Sequence, residues 1–313
     1  MHSSSTSLPP PHDSQMWKPK RGVSIWSERF VKYLFASFAL ISVATTIGIV
    51  GTLIFETFEF FQEIPLIRFL TDTQWTPLFS DQFGIFVLIS ATFLTSVIAL
   101  LVALPIGLLA AICLSEYASP KVRQWLKPAL EILAGIPTVV YGYFALLFVT
   151  PMLQAIVPGL KIFNSLSAGL VMGFAIMPLV ASLSEDAIYA VPQSLRQGSY
   201  ALGTTKRETV TGVVLPAALS GIVASCVLAI SRAVGETMIV TVAAGASPVL
   251  TLDPRVSVQT MTSFIVQATF GDNPVGTIGY KTLFAVGMTL FLITFALNIF
   301  SFWFVRRYQE KYE

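Results

Sequence analysis

Long stretches without any charged side chain limit what this sequence can fold into. Between consecutive charged residues lie uncharged runs of 23 residues at 33–55, 34 at 82–115, 29 at 132–160, 23 at 162–184, 23 at 209–231 and 24 at 282–305. A helix needs about 20 apolar residues to cross a hydrocarbon core, so each of the six can span. Two shorter runs, 237–252 and 256–271, hold 16 residues each and read as part of an outer loop or a helix extension. Strands of an outer-membrane barrel are about ten residues long and alternate in polarity, unlike these even runs. Backbone groups in lipid must bond within their own segment, so the runs are expected to be helices.

The expected fold class is therefore an all-α polytopic membrane protein. Six transmembrane helices are expected at about 33–55, 83–114, 132–157, 162–184, 212–236 and 282–305, within one domain covering 21–313. Composition agrees, with 54% hydrophobic and 12% charged residues. A soluble domain carries roughly 25% charge, so a soluble enzyme, a disordered chain and a nucleic-acid binder are all disfavoured. The net charge of +2 points to no electrostatic partner. Residues 1–20, rich in Ser and Pro, are expected to be a disordered cytoplasmic tail.

Basic residues orient the spans. Lys18, Lys20, Arg21, Arg29 and Lys32 precede the first span, and Lys121, Arg123 and Lys127 follow the second. Arg196, Lys206 and Arg207 follow the fourth, and Arg306, Arg307 and Lys311 close the chain. These fourteen share one side, against five (Arg68, Lys161, Arg232, Arg255, Lys281) on the other. The positive-inside rule makes the richer side cytoplasmic and puts both termini there.

The two cysteines, Cys113 and Cys226, lie inside apolar runs and read as small core residues. The only histidines, His2 and His12, fall in the tail. No imidazole is available for a zinc protease, a haem or a proton relay, and no metal or cofactor is expected. No Gly-rich nucleotide loop is present, so uphill transport would draw on a partner or an ion gradient.

The loop after the fourth run, at 185–211, is the most informative segment. Pro192 suits a helix start and Gly203 the position just past a helix end, which predicts a short surface helix from Pro192 to Leu202. Thr205-Lys206-Arg207-Glu208 fits a capping box that opens a second helix running on through Leu215-Pro216. Gln197-Gly198-Ser199, three residues, Gly203, nine residues and Val213-Val214-Leu215-Pro216 together resemble the cytoplasmic loop of binding-protein-dependent ABC importer permeases. That family pattern is Glu-Ala-Ala, three residues, Gly, nine residues, then an aliphatic pair with Leu-Pro. Gln197 departs from it by replacing the acid.

Three more segments resemble the phosphate-specific permeases of that family: Leu114-Ser115-Glu116-Tyr117-Ala118, Leu133 through Gly142, and Arg232 through Thr237. Trp75-Thr76-Pro77, Phe83-Gly84 and Gln259-Thr260-Met261-Thr262 are similar to the C-type of its two permease subunits. The resemblance runs from about Leu70 to Arg307. It implies a subunit of the bacterial inner membrane that translocates phosphate and hydrolyses nothing itself. It also implies an A-type permease partner, two ATPase subunits gripping the permease loops, in this chain the one around Gln197, Gly198, Ser199, Leu202 and Gly203, and a periplasmic phosphate-binding protein. Besides these, the surrounding partner is membrane lipid.

Arg232 and Glu236 are charges inside an apolar region. At 1.5 Å per residue, Arg232 lies roughly 25 Å along a helix from Leu215, between midplane and outer surface. A spacing of four allows the two side chains to pair on one helix face. They form either a structural ion pair or an anion site. In the second reading the guanidinium fork meets oxyanion oxygens. Ionised Glu236 would then accept a hydrogen bond from a phosphate hydroxyl that sulfate lacks at neutral pH. Thr138 and Tyr141 follow Pro137 in a helix loosened by proline and glycine, and Thr92, Thr237 and Thr241 are further candidates for the route. Rival readings are a permease for sulfate or molybdate, an ion-coupled secondary transporter, a membrane enzyme and a channel. A secondary transporter usually carries inverted repeats and several intramembrane acids, neither of which is present here.

Overall fold

A computed structural model describes residues 21–77, 81–271 and 273–308. The tail expected at 1–20 lies outside the described residues. In chain order the elements are α1 (Arg21–Glu63), α2 (Leu66–Thr71), β1 (Trp75–Thr76), β2 (Gln82–Phe83), α3 (Ile85–Ile112), a π-helical turn π1 (Cys113–Tyr117) and α4 (Pro120–Ala134). There follow α5 (Thr138–Phe144), π2 (Ala145–Val149), α6 (Thr150–Gln154), α7 (Ser165–Tyr189), α8 (Gln193–Ala201), α9 (Lys206–Thr209) and π3 (Val210–Val214). The chain ends with α10 (Leu215–Val234), α11 (Met238–Ala243), α12 (Met261–Phe270) and α13 (Ile278–Tyr308). The fold is all-α apart from β1 and β2, which pair Trp75 with Phe83 and Thr76 with Gln82. The chain divides into two units, residues 1–52 and 53–313. In the first, α1 is an apolar helix with Phe30, Leu40 and Ile47 exposed.

Among the described residues, five helices are long and apolar enough to cross a membrane: 27–63, 85–117, 165–189, 206–234 and 278–303. The third expected span is different. Pro120–Ala134 and Thr138–Gln154 meet at an angle of 85°, so the region expected to cross at 132–157 is a bent pair, which makes a sixth span where the two helices cross as one. Gly135-Ile136-Pro137 supplies the reason, because proline cannot donate to the preceding turn and clashes with its carbonyl. The side chains of α4 explain why it is no ordinary span. Arg123 pairs with Glu185 and stacks over the Tyr189 ring at 3.9 Å. Lys127 reaches Glu185 at 2.8 Å and Asp186 at 2.6 Å. The opposite face exposes Val122, Trp125, Leu126 and Ile132. Span boundaries shift for a similar reason. The fourth span runs on to Tyr189 because its terminal acids are paired, and uncharged runs are blind to paired charges.

Two of the π turns follow from proline as well. Pro151 and Pro216 have no N–H for the carbonyls of Leu147 and Gly212, and both of those residues lie in π turns. Widening the ladder removes the proline clash without ending the helix.

The frame of residues 53–313 is α3 lying along α7. A Cβ on Gly169 would come within 2.7 Å of the Ile98 Cβ. One on Gly173 would come within 2.7 Å of the Ala99 carbonyl, and one on Gly107 within 2.8 Å of the Val180 Cβ. Contact positions rise together along both chains, so the helices are parallel, and missing side chains allow the close approach that packs membrane helices. Against α7, α10 runs antiparallel: Ser184 and Ser225 hydroxyls meet at 2.7 Å, and Gly221 faces Ala187. At the end remote from α8, edge-to-face contacts link Phe60, Phe69, Phe83, Trp75 and Phe264. In the loop of residues 244–260, Arg255 hydrogen-bonds Asp253 and holds its carboxyl down to about 2. With a folded pKa below the unfolded one, that contact is lost only as pH falls through about 2. The cysteines depart from expectation: Cys113 is exposed and Cys226 half-buried, and both are free.

Gly173→Ala is expected to lower the thermal unfolding midpoint of the detergent-solubilised protein. The cost is about 1–3 kcal/mol, because the obstructing atom is backbone. Gly48→Ala, with nothing within 4 Å, should leave the midpoint unchanged or raise it.

Candidate functional site

Two interrupted helices meet in the body of the protein. α10 ends at Val234, and Gly235-Glu236-Thr237 separates it from α11. α5 begins just after the other break, and Gly142 seats it against α11. A Cβ there would lie 3.0 Å from the Val242 Cβ and 3.2 Å from the Met238 carbonyl. The candidates at the two breaks, Thr138 and Tyr141 on one side and Glu236 and Thr237 on the other, are thereby carried on abutting segments. Broken helices packed together inside a transporter are where substrate sites form.

The expected Arg232–Glu236 pair does not form. The break at Gly235 takes Glu236 off the helical register, and no ion pair joins the two among the described residues. Glu236 is 9% exposed and caps α11: its Oε1 accepts the N–H of Met238 at 3.1 Å and of Ile239 at 3.4 Å. Its backbone carbonyl takes the Thr262 hydroxyl at 2.7 Å. Arg232 is exposed in the last turn of α10, and its guanidinium has no hydrogen-bond or ion-pair partner among the described residues. A cation is favoured at that helix end by the backbone dipoles.

The other route candidates have local partners. Tyr141 is half-buried, and its hydroxyl donates to the Leu133 carbonyl at 2.9 Å, tying α5 back across the bend to α4. Pro137 thus breaks the helix outright, where only a loosening was expected. Thr138 is half-buried at the first turn of α5. Thr237 is half-buried, and its carbonyl accepts the Thr241 hydroxyl at 2.6 Å. Thr92 is 4% exposed; its hydroxyl donates to the Leu88 carbonyl and accepts the Met261 N–H at 3.1 Å, which gives it the work of fixing α12.

The loop at 190–205 follows the sequence closely. α8 covers Gln193–Ala201, Gly203 sits at φ +81, and Thr205 with Glu208 forms the capping box. Gln197, Gly198, Leu202 and Gly203 are exposed, Leu202 at 85%. Ser199 is turned inward instead, its hydroxyl meeting those of Thr204 at 2.7 Å and Thr209 at 3.0 Å. Leu215 and Pro216 lie beyond π3 and shape the spanning helix. Sequence reading missed the charges beneath this loop. Arg196 and Glu116, 8% and 7% exposed, pair at 2.8 Å. Glu116 does border the 34-residue uncharged run, but nothing along the chain marks Arg196 as its partner. Glycines five residues apart should respond oppositely to alanine. Gly198→Ala, with open space and helical backbone, is expected to stabilise by about 0.5–1 kcal/mol. Gly203→Ala, at positive φ, should destabilise by about 1–2 kcal/mol; thermal midpoints of the two variants check both signs.

Comparisons with known proteins bear on the family and the fold. Residues 103–312 match the family described as "Binding-protein-dependent transport system inner membrane component". The phosphate transport system permease protein PstC of Haemophilus influenzae is 32% identical over 304 residues, covering 91% of this chain and 95% of that one. The probable ABC transporter permease protein YqgH of Bacillus subtilis is 32% identical over 260 residues, covering 82% and 84%. Among solved structures, the inward-facing MetNI methionine ABC transporter superposes with a TM-score of 0.53 at 19% identity, over 72% of this chain and 95% of that one. The chain belongs to the family of binding-protein-dependent transport system inner membrane components, as a multi-pass permease subunit.

Proposed function

We propose that this chain is the C-type permease subunit of an ATP-driven phosphate importer, with both termini and the α8 loop in the cytoplasm. The reading is supported by PstC relatives aligned over most of the chain and by the concentration of basic residues on the loop side. An A-type permease would complete the pathway, two ATPase subunits would grip the loops of the two permeases, here the exposed side of α8 and Leu202, and a binding protein would deliver phosphate at the opposite end. ATP hydrolysis belongs to the ATPase subunits.

One observation carries the substrate side: Arg232 stands on an apolar spanning helix without a hydrogen-bond or ion-pair partner among the described residues. A guanidinium in such surroundings is costly unless an anion or another subunit meets it. Its fork of donors suits phosphate oxygens. Glu236 keeps Oε2 without a partner among the described residues, while Oε1 caps α11. That free oxygen would accept from a phosphate hydroxyl. Thr138, Tyr141 and Thr237, on the segments that meet at the two breaks, would flank the route. A site recognising any tetrahedral oxyanion is the second reading, favoured if the Glu236 carboxylate serves only as a cap.

The test is uptake of labelled phosphate by vesicles carrying the assembled importer, with and without ATP and binding protein. Uptake should require both. Arg232→Gln, in complexes that still retain the ATPase, should reduce uptake by roughly tenfold to a hundredfold, the loss expected for a charge-assisted hydrogen bond. Undiminished uptake would remove Arg232 from the pathway. Glu236→Gln keeps an acceptor for the α11 amides. It should therefore assemble but gain inhibition by sulfate, whereas unchanged competition would leave Glu236 as a cap alone.

A further inference from the structure

Beneath the exposed side of α8, a single guanidinium holds three elements together. Arg196 donates through Nε and Nη2 to Oε1 of Glu116, at 3.3 and 2.8 Å. Nη2 also donates to the Ile188 carbonyl at 2.8 Å, and Nη1 donates to the Val191 carbonyl. Ile188 lies in the last turn of α7, and Glu116 lies in π1 at the end of α3. A second contact joins the same π turn to the far leg of the loop, with the Lys206 ammonium 4.9 Å from the Tyr117 ring centre. The hydroxyls of Ser199, Thr204 and Thr209 close the corner between α8 and α9. Both legs of the loop are therefore fastened to two adjacent residues of π1, Glu116 and Tyr117, some 80 positions earlier in the chain.

From this we infer that Glu116 and Arg196 are a positioning pair through which movement of α8 is delivered to α3. The inference rests on the reading of α8 as the surface gripped by the ATPase. The peptide chain alone links α8 to α7 and, through α9, to α10, and gives it no hold on α3. Glycine packing makes α3 and α7 one slab. With the ion pair in place, a push on α8 displaces that slab as a unit. The helix breaks at 135–137 and 235–237 are then left as the places where the chain can flex. With the carboxylate gone, α8 keeps its hook on the α7 carbonyls but loses its charged hold on the end of α3, and hydrolysis can run without the matching movement.

The experiment uses the complete importer, with partner permease, ATPases and binding protein, in vesicles supplied with ATP and inorganic phosphate. Glu116→Gln preserves shape and removes the charge. The ATPase should still copurify and hydrolyse ATP. Phosphate taken up per ATP should fall roughly tenfold, within the ordinary range of a coupling free energy between sites. Glu116→Asp, which restores the carboxylate, should recover most of that ratio. A proportional fall in uptake and hydrolysis, or no change in either, overturns the role. If Glu116→Gln does not assemble, Tyr117→Leu removes the second fastening and leaves the ion pair. A drop in phosphate per ATP is expected there too, and an unchanged ratio again overturns the inference. Failure of the unaltered chain to copurify with an ATPase would sink the docking reading itself, a different result from an intact but fully coupled variant.

Discussion

Hydrocarbon offers no hydrogen bonds, so each interruption of a spanning helix must be closed by the protein itself. At the first break, the N–H of Gly135 returns to the Glu131 and Ile132 carbonyls, and the Tyr141 hydroxyl takes the Leu133 carbonyl. At the second, Gly235 and Glu236 return their N–H groups to Ser231 and Ala233, while the Glu236 carboxylate serves the amides that open α11. The Thr262 hydroxyl covers the remaining Glu236 carbonyl. These closures tolerate non-helical backbone deep in the molecule and bring α5 against α11.

Charge is handled in two ways. Near the α8 loop, charges are buried and paired: Arg196 with Glu116, and Arg123 and Lys127 with Glu185, which is 1% exposed. Removing one partner of such a pair leaves an uncompensated charge and destabilises by about 3–5 kcal/mol. Along α10 the opposite holds, with Arg232 unpaired among the described residues. Fully satisfied charges fix geometry, and an unsatisfied one in apolar surroundings remains open to an ion or a second subunit.

Much of the fold was legible in advance because its causes are local. Uncharged runs located five of the spanning helices, Thr205 and Glu208 opened α9, and Gly203 ended α8 at the positive φ its missing Cβ permits. Legibility failed where an element depends on distant partners. Lys121, Arg123 and Lys127 read as loop charges, yet the last two fasten an amphipathic helix onto α7. Arg232 and Glu236 read as one helical face because a four-residue spacing suggests it. Gly235 ends the helix between them, and α11 claims the carboxylate.

The amino-acid sequence alone determined that this chain crosses a membrane several times, where its helices start and turn, and which loop has the helix–glycine–helix form. Burial of apolar side chains and closure of backbone hydrogen bonds are summed over neighbouring residues, so they are written locally. Tertiary structure alone decided which charges neutralise one another, that Arg232 and Glu236 do not, and that α5 meets α11 while α3 lies on α7. Those choices depend on side chains tens of residues apart coming within 3–4 Å, and spacing along a chain does not encode distance across it.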